Sequence, residues 1–153
     1  MANQLRTTWL LLGLAALALA QDCMRKQPDE ETMKKAGQIA SELMKQCIHL
    51  LDKYPVPLST IADGMKVLCQ DYASCHDKHE SLASKPDDYR KELVSCVKPH
   101  LIQFYKSRPE FKHDPEVVAT EVGGCIINHI PLSKEMGMAT GYWLLKIMGA
   151  HET

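Results

Sequence analysis

The chain is expected to be all-α: a small disulfide-linked bundle of four to five antiparallel helices. Three observations predict this. Apolar residues recur at alternating steps of three and four along most of the chain, which lines up one face of a helix. Prolines and capping residues punctuate those runs where helices start and stop. Six cysteines, Cys23, Cys47, Cys69, Cys75, Cys96 and Cys125, are spread widely rather than clustered. No stretch alternates apolar and polar as a half-buried strand would; the β-branched clusters at 94–97 and 124–130 fall inside helical periods.

The first segment, residues 1–20, reads as a secretory signal peptide. Arg6 precedes the apolar run Trp9 to Leu17, and Ala18-Leu19-Ala20 is a small-x-small cleavage pattern. The run is shorter than the roughly 20 apolar residues that span a bilayer, so no transmembrane segment is expected. Cleavage leaves residues 21–153 as a single disulfide-bonded helical domain, large enough to bury a core. The whole chain has a formal charge of −1. Loss of Arg6 makes it one unit more negative, which argues against nucleic acid as a partner.

Each helix has a readable start or stop. Asp29 caps the first, Glu30 and Glu31 favour the positive end of its dipole, and Met33, Ala36, Ala40, Leu43, Cys47, Leu50 and Tyr54 carry its apolar period. Pro55 and Pro57 end it. Ser59 is expected to cap the second helix, in which Ile61, Met65, Leu68, Tyr72, Cys75, His79 and Leu82 form one stripe, up to Pro86. Asp87 is expected to cap the third, lined by Tyr89, Leu93, Cys96, Val97, Leu101 and Phe104; Pro99 predicts a kink or break between Ser95 and Pro99. After a charged loop at 106–113, Asp114-Pro115-Glu116 opens the fourth helix, weakened at Gly123-Gly124 unless those glycines let a neighbour approach. Pro131 ends it, and Ser133 caps a last helix to Met148 whose stretch Tyr142 to Met148 is apolar almost all round and is expected to pack onto the bundle.

An even cysteine count behind a leader implies three disulfides in an oxidising, extracellular space. If the first two helices form a hairpin turning at Pro55–Pro57, Cys47 and Cys69 come to heights differing by about 6 Å at 1.5 Å per residue. That scheme predicts Cys23–Cys75, Cys47–Cys69 and Cys96–Cys125.

The densest set of reactive side chains is His76-Asp77-Lys78-His79-Glu80. His76, His79 and Glu80 are three and four apart, a spacing that places imidazole and carboxylate on one helix face as metal ligands for zinc or copper. The competing reading is a solvated helix flank. His76-Asp77 also matches two positions of the C-C-x-x-H-D-x-C helix of secreted phospholipase A2, but the cysteine pair and a glycine-rich calcium loop are absent, so that chemistry has no electrophile. There is no G-x-S-x-G, and no cofactor is implied.

No catalytic residues are therefore expected. The leading expectation is a secreted non-enzymatic protein of toxin, salivary, haemolymph or defence type that binds an extracellular macromolecule. One alternative is an extracellular carrier of a small apolar ligand, since methionines spread over the helices can line an adaptable pocket. The other is a metal-sequestering antimicrobial protein using His76, His79 and Glu80. In general type the chain is similar to helical, cysteine-containing proteins of invertebrate haemolymph, saliva and venom; this is a likeness of type and not of family.

Overall fold

The computed structural model describes residues 27–149. The expected leader at 1–20 and Cys23 lie outside them. Among the described residues there are six α-helices, one 3-10 turn and no strand: α1 (Glu30–Cys47), α2 (His49–Lys53), α3 (Leu58–His79) running into a 3-10 turn (Glu80–Leu82), α4 (Pro86–Lys106), α5 (Pro115–His129) and α6 (Lys134–Ile147). None is long and apolar enough to cross a membrane.

Three caps act as their residue types dictate. Asp29 accepts from the Thr32 amide, Asp114 from the Glu116 amide and Ser133 from the Met136 amide, each satisfying an amide that the helix itself leaves unpaired. Two other starts fall earlier than expected. Pro57 precedes α3 and Lys85 precedes α4, so Ser59 and Asp87 sit in the first turn rather than at the cap. Pro86 supplies the preset backbone angle at the first position of α4, and Asp87 and Asp88 face the positive end of its dipole. The first helix is interrupted at Ile48. There the Leu51 amide bonds the Ile48 carbonyl three residues back, a tighter turn that offsets α2 from α1.

Pro99 neither breaks nor ends α4, which is continuous through it. Ser95 and Pro99 lie on the solvent side, so water can reach the carbonyl that the missing proline amide leaves unpaired. Val97 and Leu101, on the opposite side, are buried and hold the helix in place.

α4 is the spine of the core. Tyr89, Leu93, Val97 and Leu101 are almost completely buried, and α4 packs extensively against both α3 and α5. α6 lies against α1 and α3, and α1 also meets α5. The close approach of α6 depends on small residues. A side chain at Gly37 would press on the Trp143 indole, and one at Gly137 would overlap the Tyr72 hydroxyl. At Gly123 an added Cβ would lie 3.2 Å from Leu101 of α4, whereas at Gly124 it would meet nothing within 4 Å.

The expected hairpin of α1 with α3 does not form. α6 sits against both helices, and α1 and α3 share no extensive interface of their own. The disulfides follow. Cys47 pairs with Cys125, joining α1 to α5, and Cys75 pairs with Cys96, joining α3 to α4. The expected pairs Cys23–Cys75, Cys47–Cys69 and Cys96–Cys125 are thereby corrected, because helices consecutive in sequence at Pro55–Pro57 are not neighbours in the bundle. Cys69 is also disulfide-bonded.

Two glycine substitutions should move stability in opposite directions. Alanine favours a helix over glycine by about 1 kcal/mol, so Gly124→Ala, facing open space, should raise the melting temperature by about 2–5 °C. Gly137→Ala gains the same propensity but forces Tyr72 aside, an overpacking cost of about 1–3 kcal/mol. It should lower the melting temperature, as thermal unfolding followed by circular dichroism would show.

Candidate functional site: an apolar cavity between α1–α2 and α3

Where α1 and α3 fail to meet, a cavity of about 130 Å³ remains. Every residue around it is apolar. Leu43, Met44 and Cys47 come from α1, Leu50 and Leu51 from α2, Leu58, Ile61, Met65 and Leu68 from α3, Val122 and Ile126 from α5, and Leu144 and Ile147 from α6, with Ile48 and Met148 completing the wall. The floor is core: Leu43, Leu50, Leu68 and Leu144 are buried. The rim is not. Ile48, Leu51, Leu58 and Ile147 are among the exposed large hydrophobic residues of the protein, Leu58 at 62% and Ile147 at 55%. Their coincidence around one opening makes a patch, whereas scattered exposed apolar residues would mean little.

The sequence arranges this opening locally. Tyr54-Pro55-Val56-Pro57 cannot continue a helix, so α3 departs from α2 at an angle set by the prolines. Ile61, Met65 and Leu68 of the apolar stripe then border the gap.

Polar contacts fix the frame around the mouth. The Tyr54 hydroxyl donates to Glu121 Oε2 at 2.8 Å, and Lys53 Nζ lies 3.1 Å from both carboxylate oxygens, clasping α2 to α5. The Tyr54 ring meets His113 edge-on, His113 meets Phe111, and Phe111 stacks on Tyr105 at 4.3 Å. Arg108 pairs with Asp63 at 2.8 Å and the Thr60 hydroxyl donates to Glu110 at 3.0 Å, anchoring the segment after α4 to the start of α3. The Cys47–Cys125 bridge closes the frame at the end of α1.

The residues singled out for chemistry lie elsewhere. His76 is buried, and its Nδ1 shares a hydrogen bond with the Tyr89 hydroxyl, with the Tyr72 ring alongside. Burial pushes the Tyr72 and Tyr89 hydroxyls above their ordinary range. His79 is half-buried and Glu80 is exposed at the start of the 3-10 turn. Their ligand atoms do not converge with that of His76. Among the described residues, the set of three metal-ligating atoms within 4.8 Å of one another is Cys47, Cys125 and His129, and its two sulfurs are bonded to each other. Asp77, in the same run, pairs with Lys134 at 2.9 Å. Trp143 does not line the cavity; it packs near Gly37.

Methionines spread over the helices point to an adaptable pocket, but nothing in the sequence places the cavity itself. The one usable signal was the double proline, which limits how closely α2 and α3 can pack at their junction. No protein-family model, curated protein or solved structure matches the chain.

The clasp gives a pH dependence with a definite sign. Hydrogen bonds from Tyr54 and then Lys53 hold the Glu121 carboxyl below its ordinary value of 4.5. A group whose folded pKa is depressed contributes stability above its unfolded pKa, and that contribution disappears as pH falls through the folded value. Glu121→Gln should therefore melt below the unmodified protein at neutral pH, and the two curves should converge once the pH is well under the carboxylate range. The effect should be small because the pair is exposed. A difference that persists in acid would assign the loss to packing.

Proposed function

We propose that the protein is an extracellular, non-enzymatic binding protein that carries a small apolar ligand in the cavity between α1–α2 and α3. The observation that carries this reading is the lining: a 130 Å³ space walled only by apolar residues, with a rim of exposed Ile48, Leu51, Leu58 and Ile147. A dry apolar cavity of about 150 Å³ is enough to admit benzene, so this one suits a ring or a short hydrocarbon chain. An apolar guest gains free energy by leaving water, about 0.8 kcal/mol for each buried methylene. It also restores the contacts that the lining side chains lose by facing a void.

An extracellular setting is supported by the leader pattern at 1–20 and by the disulfides. No nucleophile, general base or acid stands among the lining residues, so this cavity is read as a place for binding. The leading sequence expectation, binding of a macromolecule, draws on the same rim, which would seat a partner's apolar side chain with the cavity as its socket. Carriage of a small ligand accounts for the depth of the cavity as well as its rim, and is preferred for that reason.

The test is titration with the fluorescent probe N-phenyl-1-naphthylamine, whose emission rises on entering an apolar site. Saturable binding at micromolar concentration is expected. Val122→Phe, which fills the cavity from α5, should weaken it at least tenfold while far-ultraviolet circular dichroism stays helical. Absence of saturable uptake, or uptake indifferent to Val122→Phe, would overturn the proposal.

A further inference from the structure

We infer that Met65 is a movable partition that sets the length of ligand the cavity accepts; this rests on the carrier reading above. Adjoining the 130 Å³ cavity is a second, half-open space of about 40 Å³, bordered by Tyr72, Gly137 and Thr140. Four residues, Met65, Leu68, Ile126 and Leu144, line both spaces, so their side chains form the wall between them. On a scale of about 15 Å³ for each water-sized group, the second space has room for about three such groups.

The four are not equally able to move. Leu68 and Leu144 are buried at 7% and 2% exposure within the main core cluster and are held on several sides. Ile126 is β-branched, and a β-branched side chain in a helix has one strongly preferred rotamer. Met65 is only half-buried, and its unbranched side chain has three rotatable bonds and packs adaptably. Turning it aside would join the chambers without disturbing the α4 spine.

The lining of the two spaces also dictates which end of a ligand enters first. No charged side chain lines either space. The Thr140 hydroxyl is already committed to the Met136 carbonyl at 2.7 Å, and the Tyr72 hydroxyl is turned to the Ser133 carbonyl at 3.5 Å. A charged or strongly polar head group taken inside would lose its hydration without a partner, at a cost exceeding what a few methylenes return. The ligand class that fits is therefore a straight-chain aliphatic molecule with its hydrocarbon end inward and any polar group left at the rim.

The experiment is displacement of bound N-phenyl-1-naphthylamine by straight-chain primary alcohols from hexanol to tetradecanol, in the full-length protein and in Met65→Ala. Each additional buried methylene should strengthen binding about fourfold until the chain meets the partition. In Met65→Ala that gain should continue for two or three more methylenes, raising the affinity of the longer alcohols relative to hexanol tenfold or more. In the unmutated protein, the methyl resonance of Thr140, which borders only the second space, should move when decanol is added and stay in place with hexanol, a readout that needs no variant. Unchanged length preference in a folded Met65→Ala, or a Thr140 resonance indifferent to chain length, would overturn the partition while leaving the cavity reading intact. Failure of every alcohol and of the probe to bind would overturn both.

Discussion

The constraint on which the architecture depends is that α1 and α3 are held apart. α6 lies against both, and each is bridged to a different neighbour, α1 through Cys47–Cys125 and α3 through Cys75–Cys96. These links close loops with sequence separations of 78 and 21. In the chain-entropy picture they disfavour the unfolded chain by about 4–5 and about 3 kcal/mol respectively. With its helices fixed this way, the bundle can leave a gap beside Pro55–Pro57 that an unbridged bundle would tend to close by sliding its helices together.

That gap has a thermodynamic cost. Ile48, Leu51, Leu58 and Ile147 stay in water at the rim, and each forgoes part of the 1.5–3 kcal/mol or so that complete burial of such a side chain contributes. The inner walls lose dispersion contacts as well. Elsewhere the packing is tight enough that a single added carbon at Gly137 meets the Tyr72 hydroxyl. Close packing around α4, beside an opening between α1–α2 and α3, leaves apolar side chains without partners where a binding site would require them.

The helices were legible in the sequence because their causes are local. Asp29, Asp114 and Ser133 cap through bonds to amides two or three residues away, and the 3.6-residue period marks the buried face of each segment. The cysteine pairing was not legible, because it depends on which helices are neighbours, and consecutive order pointed to α1 with α3. The cavity was hidden for the same reason. Periodicity shows that Ile61, Met65 and Leu68 face inward and cannot show whether anything meets them. His76 was misleading in a different way: its spacing to His79 and Glu80 drew attention to metal chemistry, while its place four residues after Tyr72 on the same face already allowed the buried Tyr72–His76–Tyr89 grouping that the fold contains.

The central claim is that the space between α1–α2 and α3 is a dry apolar cavity open to guests from solution. It is tested most directly by recording methyl resonances of the protein, labelled at isoleucine, leucine, valine and methionine, under increasing xenon pressure, since xenon enters dry apolar cavities without any polar recognition. The account predicts saturable shifts concentrated at Leu50, Ile61, Met65, Val122, Ile126 and Leu144, with the methyls of Leu93, Val97 and Leu101 on α4 unmoved. Shifts that are uniformly weak and linear in pressure, or that centre on the α4 methyls, would contradict it.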